Sequence, residues 1–246
     1  MNYLLLFCIL LIIILSFIKK RENYSNQYTA VIVEPRQHKA MEFVLDNILN
    51  NLPKSWNIII MHGSTNKEYI ENIINVKLHR FKNRISMVDL KVENLTIPDY
   101  NALLKSKEFY DHIPTEIFLV FQTDSVICNK EMLDKYLKYD YVGAPWNDDN
   151  NVGNGGFSLR RKTKMLEILE KCPKEKHPHE DRFFSYSCVD IYKPSFEEAK
   201  EFSVETVYNN KSFAVHKSWA YLKPEELEKN INECKPLKTL IELNKN

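Results

Sequence analysis

The first half of the chain alternates between two hydrophobic rhythms. TAVIV (29–33) and WNIIIM (56–61) are continuous apolar runs, as expected of strands buried on both faces. Between them Met41, Val44, Leu45, Ile48 and Leu49 recur at i, i+3, i+4, i+7 and i+8, the stripe of an amphipathic helix, closed by Pro53. Asn66 stands where it would cap a second helix carrying Tyr69, Ile70, Ile73 and Ile74. Residues 85–90 predict a third strand, and Pro98 opens a short helix with Tyr100, Leu103 and Leu104. IFLVF (117–121) is the strongest strand, ended by Gln122-Thr123-Asp124. Buried strands alternating with helices predict an α/β sandwich with a mainly parallel central sheet covered by helices.

The second half is less regular. YDYVGAPW (139–146) and GGFSLR (155–160) predict strands around the polar loop NDDNNVGN. A helix is expected over 162–171, then a Pro/His-rich connection, HEDRFFSYS, and helices over 195–202 and 224–234. No internal repeat or low-complexity tract is present.

The N-terminus stands apart. Residues 3–18, YLLLFCILLIIILSFI, form a run of 16 without a charge. As a helix it would span about 24 Å, short for a bilayer core but sufficient for an anchor. A cleaved signal peptide is the alternative, but no small-x-small pattern follows the run. The expected organisation is therefore an anchor over 1–20, a polar linker over 21–28 and a single domain over 29–246. Lys19, Lys20 and Arg21 follow the run and no Lys or Arg precedes it, which places the body of a single-pass protein on the cytosolic side.

Composition narrows the function classes. With 44% hydrophobic residues, 27% charged residues and a net charge of +1, the chain is neither a disordered tail nor a polytopic membrane protein, and no nucleic-acid partner is expected. Five cysteines without a C-x-x-C pair argue against a disulfide scaffold and for reducing surroundings. Sequons at Asn23, Asn94 and Asn210 are about as many as an Asn-rich chain yields by chance. Of only five glycines, Gly143, Gly153, Gly155 and Gly156 fall in one window, which signals a backbone requirement there.

Several residues offer chemistry. Asp124 follows the strongest strand, at the edge where open α/β sheets bind ligands, and can hold a divalent metal bridging a diphosphate; a turn or N-cap aspartate is the alternative. Asn154-Gly155-Gly156 removes side chains where backbone would approach a ligand, or makes a tight turn. Glu180-Asp181 offers a general base, or two acids favourable to a helix dipole. His177, His179 and His216 lack zinc-site spacing, which leaves at most one metal-ligating histidine near the C-terminus. Trp146 and Trp219 are candidate sugar platforms or core residues. The run Lys77, Arg80, Lys82 and Arg84 reads as a solvated lead into a strand, while Arg160, Arg161, Lys162 and Lys164 lie beside the glycine window.

The segments AVIVEPR (30–36), NNLPKSW (50–56), FQTDSVIC (121–128), YDYVGAPW (139–146), VGNGGFSLRRK (152–162), EDRFFS (180–185), AKEFSVE (199–205) and FAVHKSW (213–219), in this order, resemble domain-of-unknown-function family 5672, which is similar to GT-A glycosyltransferases. The resemblance covers about 29–219 and implies a GT-A-like nucleotide-binding sandwich. It implies that Asp124 binds metal and diphosphate, that Glu180-Asp181 includes the base of an inverting enzyme, and that Asn154, Gly155 and Gly156 pass under the sugars. It further implies that His216 is a metal ligand and that Glu34, Pro35 and Arg36 meet the nucleotide. One departure stands out: Gln122-Thr123-Asp124-Ser125 carries one carboxylate where Asp-x-Asp is usual, which implies either a weak metal site or a shell completed by Ser125 and His216.

The expected activity is transfer of a glycosyl group from a nucleotide-sugar donor to a hydroxyl of a glycan or protein acceptor, assisted by Mn²⁺ or Mg²⁺. Asp181, with Glu180 second, would take the acceptor proton, and Arg160 or Arg36 would pair with phosphate oxygens. The alternative is an inactive, membrane-anchored glycan- or protein-binding module. A nucleotidyltransferase ranks last, because Glu34-Pro35-Arg36 lacks a phosphate-binding glycine loop.

Overall fold

The computed structural model describes residues 27–148 and 151–245. The expected anchor at 3–18 lies outside the described residues; among those described, no helix is long and apolar enough to cross a membrane.

Each apolar run forms its strand. Strand β1 (Tyr28–Val33) leads to helix α1 (Met41–Asn51), β2 (Trp56–His62), α2 (Lys67–Asn72) and β3 (Ile85–Asp89). Asn66 does not cap α2 with its side chain; it donates instead to the carbonyls of Glu34 and Arg36, 2.8 Å each, and accepts from Gly63 N at 2.9 Å, tying the end of β1 to the end of β2. Helix α3 (Ile97–Leu104) opens on a capping box between Thr96 and Asp99, followed by α4 (Lys107–Asp111), β4 (Ile117–Phe121) and β5 (Ser125–Ile127). Of YDYVGAPW, only β6 (Tyr141–Val142) is strand; β7 (Phe157–Arg161) runs straight into α5 (Lys162–Lys171). Then come α6 (Glu180–Ser185), α7 (Phe196–Phe202), β8 (Ser203–Val204), β9 (Ala214–His216), α8 (Pro224–Glu233) and α9 (Pro236–Leu243).

The main sheet has the order β3-β2-β1-β4-β7-β6. Its first four strands are parallel, while β7 runs antiparallel to β4 and β6, so the sheet is mixed beyond β4. Period-two alternation sends Ala30, Ile32, Ile58, Ile60, Leu119 and Phe121 to the face covered by α1 and α9. Val31, Val33, Ile59, Met61, Phe118 and Val120 face Leu104, Phe109, Tyr110 and Met165 on the other side. Ile32, Ile60 and Phe121 are wholly buried, each contributing about 1.5–3 kcal/mol.

A second sheet of order β5-β9-β8 is the element that apolar patterning did not reveal. Ser125 pairs with His216 across β5 and β9, and Val204 with Val215 across β8 and β9. This register sets Asp124, His216 and Glu205 side by side at one end of three neighbouring strands.

Two disulfides overturn the expectation of a chain without them: Cys128–Cys234 and Cys172–Cys188. Partners 106 and 16 residues apart leave no spacing signature, since only the fold brings them together. Cys128–Cys234 fastens the end of α8 to the residue after β5, and Asn244 Nδ2 donates to Thr123 O at 3.1 Å, so the C-terminal helices brace the Asp124 turn from behind.

Candidate functional site

A cleft of about 470 Å³ opens between the carboxyl ends of β1 and β4. The chain winds away from β1 toward β2 and β3 on one side and reaches β4 on the other, and such a switch point is where open α/β sheets take ligands. Glu34, Pro35 and Arg36 form one lip, Gln122 and Asp124 the other, and Asn154, Gly155, Gly156 and Asp181 face them.

At the β1 lip both Glu34 oxygens are taken by Arg36: Nε to Oε1 at 2.8 Å, Nη2 to Oε2 at 2.9 Å, and the Arg36 backbone N to Oε1 at 3.0 Å. Glu34 is buried, while the Arg36 side chain is 58% exposed with its fork held in place. The Glu34 side-chain bond raises the Arg36 guanidinium further, against a smaller opposing effect of burial. Arg36 is therefore the fixed cation of this lip.

At the floor, His216 lies between two acids. Its Nε2 is 3.2 Å from Asp124 Oδ1 and 3.2 Å from Gln122 Oε1, and its Nδ1 is 3.1 Å from Glu205 Oε1. The Glu205 contact is an ion pair rather than a well-aligned hydrogen bond, and Asp124 Oδ1, Glu205 Oε2 and His216 Nδ1 are all buried without a hydrogen-bond partner. Burial alone would lower the His216 imidazole, but Asp124 and then Glu205 outweigh it and push it up to about 10. Burial likewise opposes ionisation of Asp124, and His216 reverses this, holding the carboxyl below its ordinary value. Among the described residues no three His, Cys, Asp or Glu side chains are arranged to hold a metal ion.

The glycine loop is shaped by its neighbours. Gly153 has φ +131°, a region favouring glycine, and both Gly153 N and Asn154 N donate to Ala144 O. A Cβ on Gly155 would meet Glu180 Oε1 at 2.1 Å, and one on Gly156 would meet the His216 ring at 2.1 Å. The two glycines thus make room for an acid and an imidazole, a more specific role than passing under a sugar.

Glu180 and Arg160 prove to be partners. Arg160 is wholly buried, with Nη1 to Glu180 Oε2 at 2.7 Å, Nη2 to Oε1 at 3.0 Å and Nε to Ser158 Oγ at 2.9 Å. Burial would lower the Arg160 guanidinium, but Glu180 offsets it and raises the group well above its ordinary value, while burial pushes the Glu180 carboxyl up against the opposing pull of Arg160. Tyr141 and Phe184 flank the guanidinium at 5.1 and 5.6 Å. Glu180 lines the cleft, with each of its oxygens bonded to Arg160, while Arg160 itself does not line it. Strand alternation explains this: Phe157 and Leu159 face one core, which sends Ser158 and Arg160 to the other side. Arg161, Lys162 and Lys164 are also engaged elsewhere, with Asp140, Ile113 O and Glu167.

Asp181 is different. It is half-buried on the cleft wall, its Oδ1 accepts from Arg182 N at 2.7 Å, and its Oδ2 lies 3.4 Å from Gly155 N, a weak contact that leaves this oxygen able to take a proton. Ser125 does not complete a metal shell; its hydroxyl is buried and closes the Gln122 turn, accepting from Gln122 N and donating to Gln122 O. Trp219 packs against the core and not the cleft. Trp146 lines an adjoining cavity of about 280 Å³, but its ring stacks on Tyr186 and lies 4.8 Å from the Arg182 guanidinium. Tyr221, which is exposed, lines both cavities. Sequence reasoning missed Glu205 and Tyr221: Glu205 ends the segment AKEFSVE, but nothing in that segment places it next to His216.

Sheet, switch point and cleft together define an α/β fold of the GT-A-like class. Galactosyltransferase LgtC, solved in complex with donor and acceptor sugar analogues, has a TM-score of 0.56 at 11% identity, over 87% of this chain and 94% of that one. Glycosyltransferase GlyE of Streptococcus pneumoniae TIGR4 has a TM-score of 0.55 at 10% identity, over 89% and 63%. Mannosyltransferase PcManGT from Pyrobaculum calidifontis, in complex with GDP-Man and Mn²⁺, scores 0.46 at 12% identity, over 65% and 51%, so this chain spans about half of that protein's length. At these identities the likeness is one of fold. Within this class, the model of the family "Protein of unknown function (DUF5672)" matches residues 84–218, and the chain belongs to that family. No curated protein matches the sequence.

Proposed function

We propose that this protein transfers a glycosyl group from a nucleotide-sugar donor to an acceptor hydroxyl, with inversion. The observation that carries this reading is the pairing, across one cleft, of an available carboxylate, Asp181, with the buried Asp124–His216 pair at the sheet's switch point. LgtC, whose fold is similar, was solved with donor and acceptor sugar analogues, which supports the reading.

In this mechanism the donor diphosphate lies between the Arg36 lip and Asp124. Arg36, fixed by Glu34, offers guanidinium donors to phosphate oxygens. Asp181 Oδ2 accepts the proton of the acceptor hydroxyl as that oxygen attacks the sugar, a contribution of about 10²–10⁴-fold. Asn154 and Gly155 bring the loop backbone close to the sugar without intervening bulk. The orphaned Asp124 Oδ1 and the facing His216 Nε2 are a hard-oxygen and imidazole set suited to Mn²⁺ or Mg²⁺, and these two residues would hold it. When bound, such a cation offsets charge on the leaving diphosphate.

Nucleotide release from a panel of nucleotide sugars, with and without Mn²⁺, tests the reading. Wild type is expected to exceed Asp124→Asn by at least tenfold with one donor; equal background rates for both with every donor overturn it. Gln122, in place of a first carboxylate, favours the alternative of an inactive glycan-binding module. Calorimetry separates the two, since nucleotide binding supports the transferase and glycan binding without nucleotide supports the module.

We further propose that residues 3–18 anchor the protein. The two disulfides support a body facing an oxidising compartment, against the cytosolic side that the flanking charges favour. Protease protection of the body in sealed vesicles is expected, and its digestion in intact cytosol-facing vesicles overturns this orientation.

A further inference from the structure

We propose that Glu205 positions His216 for a divalent cation held between Asp124 Oδ1, His216 Nε2 and Gln122 Oε1, with the Gln122 amide oxygen standing where a first carboxylate is usual. The inference rests on the transferase reading for its purpose but on the floor of the cleft for its geometry.

An imidazole has two nitrogens, and here each faces its own acidic neighbour. Nε2 is 3.2 Å from both Asp124 Oδ1 and Gln122 Oε1. Neighbouring ligands around an octahedral cation, each at about 2.1 Å, lie ~3 Å apart, so Nε2 stands at the spacing of a neighbouring ligand from each of the two oxygens. The Gln122 amide is oriented for the purpose: its Nε2 donates to Tyr100 OH at 2.9 Å, which turns Oε1 toward His216. Asp124 Oδ1 is buried with no hydrogen-bond partner, and its ionic contact is His216 Nε2 itself, so a metal ion bound there would take the place of the His216 proton.

Glu205 lies on the other nitrogen, 3.1 Å from Nδ1, and cannot join ligands gathered at Nε2. It is buried at 3% exposure, and its second oxygen has no hydrogen-bond partner, so His216 is its one ionic contact among the described residues. A carboxylate on the far nitrogen of a ligating histidine fixes the ring's orientation and strengthens its ligand atom. The small sheet builds this row directly: Ser125 pairs with His216, and Val204 with Val215, one residue before Glu205 and His216.

The test is Mn²⁺ affinity of the purified, nucleotide-free protein, read from the free-Mn²⁺ signal in electron paramagnetic resonance. Glu205→Leu is expected to weaken binding about 10–100-fold, while Glu205→Gln, whose amide oxygen can still face Nδ1, retains most of it. Gln122→Glu keeps the side-chain length and adds a charge, so it is expected to tighten binding about tenfold; Gln122→Leu should loosen it. Wild-type affinity in both Glu205→Leu and Gln122→Glu, or no Mn²⁺ bound by wild type at millimolar concentration, overturns the proposal. Nucleotide-sugar turnover measured on the same samples keeps the two readings apart. Turnover without Mn²⁺ binding overturns the cation site and leaves the transferase standing; the predicted binding without turnover does the reverse.

Discussion

Two buried charge clusters border one cleft, and they are built on opposite plans. Arg160 and Glu180 are saturated: the guanidinium spends its donors on two carboxylate oxygens and a serine hydroxyl, sealed by Tyr141 and Phe184. Asp124, His216 and Glu205 are unsaturated, with three buried polar atoms lacking hydrogen bonds. A buried ion pair with every partner present is scaffold, because nothing remains for a ligand to satisfy. A buried set with partners missing carries a standing cost of desolvation, and such a set is where a ligand contributes most. The two clusters contain four of the residues singled out from the sequence, and only the unsaturated one is a site.

The sharpest break in this comparison is Asp181, which lines the same cleft and belongs to neither cluster. Asp181→Asn is expected to lower sugar transfer by about 10²–10⁴-fold with an unchanged melting midpoint, read by product formation and calorimetric unfolding. Retained turnover would move the working base elsewhere. Next in size, Arg160→Met leaves Glu180 buried and unpaired and is expected to cost about 3–5 kcal/mol in denaturant unfolding. The double variant Arg160→Met/Glu180→Gln should recover much of that loss, as befits scaffold; no recovery would mean that Arg160 has another partner.

The glycines then test each cluster separately. Gly155→Ala drives a methyl onto Glu180 and is expected to cost about 1–3 kcal/mol of stability. Gly156→Ala drives one onto the His216 ring, and its larger effect should be on activity and Mn²⁺ affinity. Identical profiles for the two would erase the distinction between scaffold and site.

The smallest effect is one of pH. A group raised in the folded chain contributes stability that is complete below its unfolded value, about 6.5, and lost as the pH climbs through its folded value, about 10. In chelator, the melting midpoint of wild type relative to His216→Gln is therefore expected to narrow by a few degrees over that window. A constant difference would show that His216 is not the cation balancing Asp124 and Glu205.

Legibility in the sequence followed element length. The runs that became β1, β2 and β4, and the stripe of α1, are long enough for their periods to show. Strands β5, β8 and β9 have two or three residues each, too few for any alternation, and they are what assemble the site. Asp124 is legible from its place after the strongest strand and His216 draws its role from the family resemblance, whereas Glu205 acquires meaning only from its register beside His216. The orientation of Arg160 was open for a related reason: alternation says which residues share a face, and only the assembled cores say which face is buried. Helix α9 did carry a readable signal in Leu237, Leu240 and Ile241, whose spacing is helical.

The sheet order has a practical consequence for anyone dissecting this family. The matched segment begins at residue 84 and ends at 218, so a fragment cut to those limits would keep β3 and β4 but discard β1 and β2, which stand between them. It would also discard Cys234 and Asn244, the two fastenings behind Asp124. The stretch of sequence that identifies the family is thus smaller than the unit that can fold, and the Glu34–Arg36 lip and the C-terminal brace have to travel with it.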